Sequence, residues 1–287
     1  MKKVQINWIL FLWVVLWGSL LSAPQEVAAS ISEPQVKADA ALIYDMDRRE
    51  VLWEKAGNVP MAPASLIKVL NLLTAEPYIS FDEDIVIGPL ARTVYSGQLM
   101  GLEAGDVVRM DDLIYAMMLY SANDAAVAVA DELVGDIGFY AILMDTKAWA
   151  LGAVHTTSIN VNGYSDENQK TTAYDLAVIG TAYMDNERLR SFASASSHKL
   201  QWLSPKKEQE IQNINKFLAS YDGATGLKTG TTNMAGKCLM ATAEKNGKRY
   251  LAVALNSSDR YGDCIRMMDF AYQEEGALSH HIVDDLE

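Results

Sequence analysis

The stretch that decides the fold is Ala62-Pro-Ala-Ser-Leu-Ile-Lys-Val-Leu-Asn-Leu-Leu-Thr-Ala75, an apolar segment with a serine and a lysine near its start. Ser65 and Lys68 are three residues apart, so a helix places their side chains on one face. Beyond them only Asn71 and Thr74 interrupt the apolar run. This pattern predicts a helix that is buried in the middle of a domain.

A lysine in such a helix has two interpretations. Burial disfavours the charged form of an amine, and a neutral Lys68 can take the proton from the hydroxyl of Ser65, which is otherwise a weak nucleophile. Alternatively, Ser65, Lys68 and Asn71 form the solvated side of a half-exposed helix, because most lysines are exposed. The segment by itself leaves both interpretations open.

Composition narrows the classes of function. The chain has 287 residues, of which 50% are hydrophobic and 21% charged, enough for one large domain or two modest ones. A formal charge of -13 argues against a nucleic-acid partner. Cys238 and Cys264 are the only cysteines, and there are four histidines. These counts exclude a disulfide scaffold and a four-cysteine metal site and argue against a histidine-rich metal site.

The N-terminus has the layout of a secretory signal peptide. Two lysines precede the apolar run Trp8–Leu21, and small residues follow up to Ala29. The alternative is an uncleaved anchor, but a run of 14 residues is shorter than the roughly 20 that span a membrane. We therefore expect residues 1–29 to be a signal peptide, residues 30–287 to form a single domain, and the protein to act outside the cytoplasm.

The order of predicted elements indicates an α+β fold. We predict a hairpin (Ala40–Tyr44 and Glu50–Glu54), the helix described above, loops and short strands over residues 82–110, four helices (Asp111–Tyr120 capped by Asp111, Asp124–Val134, Phe139–Leu151 and Ala173–Met184), three strands (Gly226–Gly230, Lys237–Ala243 and Arg249–Leu255) and a helix (Gly262–Gln273). The region Arg188–Gln212 gives no clear prediction. Strands that are adjacent in sequence favour an antiparallel sheet flanked by helices.

Three short motifs occur in a fixed order: Ser65-Leu-Ile-Lys68, Ser121-Ala-Asn123 and Lys228-Thr-Gly230. Each is weak alone, and Lys228-Thr-Gly could be a plain strand end. Together they resemble the motifs of penicillin-binding proteins and active-site-serine β-lactamases. From about Ala40 to Tyr272 the chain resembles the D-alanyl-D-alanine carboxypeptidases among the low-molecular-weight penicillin-binding proteins, peptidase family S11. The segments Ser121–Ala125, Asn215–Leu218 and Tyr221–Gly230 also carry this resemblance.

The resemblance implies the transpeptidase fold of that family and a role for each motif residue. Ser65 is expected to be the nucleophile, Lys68 its base, Ser121 a proton carrier to the leaving amine, and Asn123 a partner of Lys68 or of a substrate amide. The expected reaction removes the terminal D-alanine of peptidoglycan stem peptides through an acyl-enzyme, without metal or cofactor. β-Lactams are the expected covalent inhibitors.

The third motif is expected to bind the substrate. By the same resemblance, Lys228 presents a cation to the substrate's terminal carboxylate, and the hydroxyls of Thr229 and Thr231 add hydrogen bonds. Gly230 leaves room for the substrate backbone to run beside the strand. The backbone amides of Ser65 and Thr231 are the expected donors to the oxyanion.

The chain also departs from the family. Its segment Ile159–Tyr164 stands where the family has Phe-x-Asn-Pro-x-Gly-Leu, so the proline is missing and tyrosine replaces leucine. We also expect no C-terminal β-domain and no anchoring helix. A DD-endopeptidase, a serine β-lactamase and a catalytically silent wall-binding protein remain alternatives. Against the β-lactamase, Glu167–Thr171 does not match the Glu-x-x-Leu-Asn of class A enzymes, and Glu132 is expected to be exposed.

Overall fold

The computed structural model describes residues 32–284, except the side chains of residues 275 and 277–284. The predicted signal peptide therefore lies outside the described residues. Five strands form the main sheet: β1 (Ala40–Asp45), β2 (Glu50–Lys55), β7 (Ala224–Thr232), β8 (Gly236–Lys245) and β9 (Lys248–Leu255). Their order is β2-β1-β9-β8-β7, and all neighbours are antiparallel. This confirms the predicted hairpin, the three C-terminal strands and the α+β class.

A smaller sheet of four strands was mostly missed by the sequence patterns. Its strands are β3 (Asp84–Val86), β4 (Val107–Arg109), β5 (Ser197–Ser204) and β6 (Lys207–Gln212), in the order β3-β4-β5-β6. The last two lie in the region that gave no clear prediction. All but one of the residues of β6 are exposed, so no apolar alternation marks that strand.

The helices are α1 (Ile67–Ala75), α2 (Met110–Tyr115), α3 (Asn123–Val134), α4 (Ile137–Leu151), α5 (Ala173–Asp185), α6 (Glu187–Ser194), α7 (Phe217–Ser220) and α8 (Arg260–Asp284). Helix α1 contacts α3, α4 and α5, and all nine of its residues are buried. The prediction of a buried central helix is confirmed, and the half-exposed alternative is wrong. Helices α5 and α8 both pack on strands β8, β9 and β1 of the main sheet.

Two predicted helix boundaries need correction. Asp111 does not cap its helix: α2 begins at Met110, and no side chain caps it. The backbone N–H groups of Met110 and Asp111 instead donate to the carbonyls of Glu83 and Phe81, so tertiary contacts satisfy the start of this helix. After Tyr115 the chain forms a π-helical turn (Ala116–Tyr120) rather than a continuous α-helix.

The closing helix is longer than predicted. Helix α8 runs from Arg260 to Asp284, whereas the sequence pattern predicted an end near Gln273. Within residues 32–284, no helix is both long enough and apolar enough to cross a membrane.

Candidate active site

Ser65 lies on a tight turn that precedes α1. A short 3₁₀ helix, Ala64–Leu66, contacts β7 and β8 at the edge of the main sheet. Ala64 has a φ of 49°, in the left-handed region that non-glycine residues rarely adopt. Such a conformation costs about 1–3 kcal/mol and persists only where the surroundings impose it. The turn therefore holds Ser65 in a fixed position between the central helix and the edge strand.

Two glycines let the chain approach this turn closely. A Cβ on Gly230 would lie 3.1 Å from the Ser65 nitrogen and 3.0 Å from Ala64 Cβ. A Cβ on Gly163, whose φ is 89°, would lie 2.2 Å from the Ala64 carbonyl oxygen. Strand β7 and the loop around Gly163 thus meet the Ser65 turn without space for side chains at these two positions.

Lys68 sits on the first turn of α1 and is completely buried. Its Nζ lies 2.9 Å from Ser65 Oγ. The same nitrogen lies 2.7 Å from Asn123 Oδ1 and 2.6 Å from the carbonyl oxygen of Asn162. The structure therefore brings the Ser-x-x-Lys motif and the Ser-Ala-Asn segment together around one amine.

The electrostatic setting of Lys68 favours its neutral form. Burial, and after it the charge of Lys228, lower the pKa of Lys68 well below its ordinary value, while Asp124 acts in the opposite direction. Both Asn123 Oδ1 and the Asn162 carbonyl can only accept hydrogen bonds, so they take the two hydrogens of a neutral amine. The lone pair of the nitrogen is then left for the hydroxyl of Ser65.

Ser121 and Asn123 lie at the junction between the π-helical turn and α3. Ser121 is buried. Its φ of 66° lies in the left-handed region, which produces the sharp turn of the chain at this point. Among the described residues, its hydroxyl makes no direct hydrogen bond to Ser65 or Lys68. The Asn123 backbone N–H donates to the Gln98 carbonyl, and its Nδ2 donates to the Ser96 carbonyl.

Strand β7 carries Lys228, Thr229, Gly230 and Thr231 at the edge of the sheet. Lys228 is 1% exposed, and its Nζ donates to the Thr229 carbonyl at 3.2 Å. Burial, with a smaller contribution from the charge of Arg260, lowers the pKa of Lys228 to about 7. Thr229 is also buried, whereas Thr231 is exposed.

Arg260, at the start of α8, is a residue that the sequence patterns missed. Its Nη1 donates to the Gly230 carbonyl at 2.9 Å, to Thr231 Oγ1 at 3.0 Å and to the Cys238 carbonyl at 3.2 Å. These bonds place a guanidinium beside the strand that carries the third motif. No spacing rule connects Arg260 with a motif thirty residues earlier, so sequence offered no signal for it.

Asp124 and Asn162 were missed as well. The buried carboxylate of Asp124 accepts hydrogen bonds from the backbone N–H groups of Met100, Gly101 and Leu102, at 2.8–3.2 Å. It thereby fixes the loop that supplies the partners of Asn123. Asn162 acts through its backbone carbonyl, which no side-chain pattern could identify.

An open cleft of about 570 Å³ gives access to Ser65. Its lining residues are Ser65, Tyr95, Ser96, Gly97, Gln98, Asn123, Asn162, Gly163, Tyr164, Ser165, Thr231, Thr232 and Asn233. These described lining residues include no carboxylate, although the whole chain is acidic. The cleft can therefore accept an anionic ligand without repulsion from its own walls.

Comparison with known proteins identifies the family. The family model of peptidase S11, described as D-alanyl-D-alanine carboxypeptidase, matches residues 27–259. The chain belongs to this family. The D-alanyl-D-alanine carboxypeptidase DacB2 of Mycobacterium tuberculosis is 32% identical over 235 residues, covering 81% of this chain and 79% of the relative.

Two further proteins are similar to this chain, one in sequence and one in structure. DacF of Bacillus subtilis, also a D-alanyl-D-alanine carboxypeptidase, is 29% identical over 251 residues. That match covers 85% of this chain but 64% of the relative's length. The Streptomyces K15 DD-transpeptidase superposes with a TM-score of 0.81 at 23% identity, covering 85% of this chain and all of that one. This likeness confirms the predicted fold.

Proposed function

We propose that this protein is a serine D-alanyl-D-alanine carboxypeptidase that removes the terminal D-alanine from peptidoglycan stem peptides. The observation that carries the proposal is the 2.9 Å separation between the Lys68 amine and Ser65 Oγ, in a site whose burial favours the neutral amine. Family membership supports the substrate class.

In the proposed acylation step, Lys68 takes the proton of Ser65 while Oγ attacks the carbonyl carbon of the penultimate D-alanine. The tetrahedral intermediate collapses, the C–N bond breaks, and a proton is delivered to the leaving amino group of D-alanine. Ser121 is the proposed carrier of that proton. Water then attacks the ester on Ser65, with Lys68 again as base, and releases the shortened peptide.

The backbone amides of Ser65 and Thr231 are the proposed oxyanion donors. The close approach of β7 to the Ser65 turn supports this assignment, because Gly230 brings the two chain segments into van der Waals contact. Donors on two packed backbone segments stay in place during the reaction. They can therefore stabilise the developing charge without a reorganisation of the site.

Lys228, Thr229, Gly230 and Thr231 are the proposed binding site for the substrate's C-terminal part. A cation on the edge strand suits a terminal carboxylate, and Thr231 adds a hydroxyl that is held by Arg260. The absence of acidic side chains from the described lining of the cleft is consistent with a negatively charged ligand.

β-Lactams are proposed as covalent inhibitors rather than substrates. Glu132 and Glu167 are both exposed, and no described residue that lines the cleft is a glutamate. A penicilloyl group on Ser65 therefore lacks the dedicated glutamate base that class A β-lactamases use for deacylation. An extracytoplasmic location, reached by export with a signal peptide over residues 1–29, is proposed as well, because the peptidoglycan substrate lies outside the cytoplasm.

The test is a product assay with the purified chain. We expect incubation with a stem pentapeptide ending in D-Ala-D-Ala to release free D-alanine and a tetrapeptide, and Ser65→Ala to release none. A cross-linked muropeptide dimer is the second substrate, because its cleavage to monomers in preference to the pentapeptide would assign an endopeptidase. No release from either substrate would contradict the proposal.

A further inference from the structure

Tyr164 connects two loops on the walls of the cleft. Its hydroxyl donates a hydrogen bond to the Ser96 carbonyl at 2.6 Å and accepts one from the Ser96 backbone N–H at 3.1 Å. A single side chain therefore holds both polar groups of one residue's main chain. Because the hydroxyl is used as donor and acceptor at once, the bond pair restricts the orientation of Ser96 more than either bond would alone.

The carbonyl of Ser96 is shared with Asn123. Asn123 Nδ2 donates to this oxygen at 2.9 Å, and Asn123 Oδ1 then lies 2.7 Å from Lys68 Nζ. An amide that is anchored through its nitrogen must present its oxygen on the other side. The orientation of the Ser96 carbonyl thus determines which atom of Asn123 faces the lysine.

The peptide between Ser96 and Gly97 is tightly packed against Asn123. Gly97 has a φ of 78°, and a Cβ there would lie 2.4 Å from Asn123 Nδ2. On the other side of the cleft, the Tyr164 backbone is held by Asn160, whose Oδ1 accepts its N–H and whose Nδ2 donates to its carbonyl. Tyr164 is therefore fixed at its backbone and at its hydroxyl.

We propose that Tyr164 is a positioning residue for the catalytic lysine: through the Ser96 carbonyl it holds the Asn123 amide with its oxygen towards Lys68. The proposal rests on the function proposed above, since it requires Lys68 to be the base for Ser65. The family pattern has leucine where this chain has Tyr164, and leucine has no hydroxyl for this contact.

The first test uses Tyr164→Phe, which keeps the ring in the cleft and removes the hydroxyl alone. Loss of the two hydrogen bonds between this hydroxyl and Ser96, which align the base through Asn123, should slow acylation of Ser65 by penicillin about five- to tenfold. The dissociation constant of the noncovalent penicillin complex should stay unchanged, because the ring that lines the cleft is retained. Tyr78→Phe is the matched control, since Tyr78 is 75% exposed and lies outside the described lining of the cleft.

The second test separates positioning from a general structural role. In the background of Asn123→Ala there is no amide left to orient, so Tyr164→Phe should cause no further slowing. Equal slowing in both backgrounds, or an unchanged rate for Tyr164→Phe alone, would overturn the role of Tyr164 while leaving the proposed function intact. Failure of the unaltered protein to form an adduct on Ser65 would overturn both.

Discussion

The backbone of Gly230 lies directly against that of Ser65, so that a Cβ on Gly230 would lie 3.1 Å from the Ser65 nitrogen. This contact joins the first and third sequence motifs, although residues 69–227 separate them along the chain. It places the proposed nucleophile against the edge strand on which the substrate is proposed to bind. The close approach explains why this position of β7 needs a residue without a side chain.

Gly230→Ala should therefore impair catalysis more than folding. The added methyl group pushes β7 a few tenths of an ångström away from the Ser65 turn, and since a displacement of about 1 Å can reduce catalysis about 10²-fold, we expect a severalfold loss of the acylation rate. Overpacking of this kind usually destabilises by about 1–3 kcal/mol, so the variant should still fold. Acylation kinetics with penicillin and a urea unfolding curve measure the two effects.

Gly276→Ala is the matched control for that variant. Gly276 lies in α8, where a Cβ meets no atom of the described residues within 4 Å. The control should acylate at the normal rate and be as stable as the unaltered protein or slightly more so. A Gly230→Ala variant that acylates as fast as the control would contradict the proposed close approach.

Burial of Lys228 should make stability depend on pH. With a folded-state pKa of about 7 and an ordinary value of 10.5, the unfolded chain binds more protons at this residue between those two limits. The contribution of Lys228 to the free energy of unfolding therefore rises with pH from about 7 to about 10.5 and is least favourable below pH 7. Thermal unfolding of Lys228→Met should show a higher Tm than the unaltered protein at pH 7.

The difference in Tm between the two proteins should shrink as the pH rises towards 10. The comparison removes the contributions of the other groups that titrate in this range, except that of Lys68, whose pKa the charge of Lys228 helps to lower. Lys248→Met is a suitable control, since Lys248 lies at the start of β9 and is only partly buried. A pH-independent difference for Lys228→Met would contradict the lowered pKa.

Substrate affinity should also depend on the protonation state of Lys228. If Lys228 must be charged to bind the terminal carboxylate, the KM for a D-Ala-D-Ala peptide should rise as the pH increases above about 7. A peptide with an amidated C-terminus should bind weakly at every pH and lack this trend. Initial rates of D-alanine release from the first peptide and of D-alaninamide release from the second give the two KM values at each pH. Parallel pH profiles would show that Lys228 does not contact the terminal carboxylate.

The order of the three motifs and the apolar pattern of α1 were sufficient to select residues that the structure brings together. Ser65, Lys68 and Asn123 are close in space because a buried helix and a helix junction bring their segments together. The C-terminal strands were predictable from their apolar runs. Strand β6 was not, because its exposed polar residues carry no alternation, and its pairing with β5 is decided by tertiary contacts.

Backbone-mediated contacts account for the rest of what the sequence could not predict. The Asn162 and Ser96 carbonyls hold Lys68 and Asn123, yet a carbonyl is common to every residue type. The π-helical turn before Ser121 likewise has no signature in residue types. The replacement of leucine by Tyr164 was visible in the sequence, but its bond to Ser96 depends on how two distant loops meet.

The stability of the penicillin adduct distinguishes the proposed carboxypeptidase from a β-lactamase. The described lining of the cleft carries no carboxylate, so a penicilloyl group on Ser65 has no glutamate base beside it, and its leaving amine stays tethered in the site where Lys68 would assist the attack of water. We expect the adduct to persist for much longer than the peptidyl acyl-enzyme. Mass spectrometry after a penicillin chase follows its decay, and loss within seconds with continuous release of hydrolysed penicillin would favour a β-lactamase.

The most direct test of the account is the position of the acyl group itself. Mass spectrometry of the penicillin-treated protein, followed by peptide mapping, should locate one adduct on Ser65 and none in Ser65→Ala. Lys68→Ala should reach the same adduct about 10²- to 10⁴-fold more slowly, because general-base assistance has that magnitude. An adduct on another residue, or a Lys68→Ala variant that is labelled at the normal rate, would contradict the proposed pair of nucleophile and base.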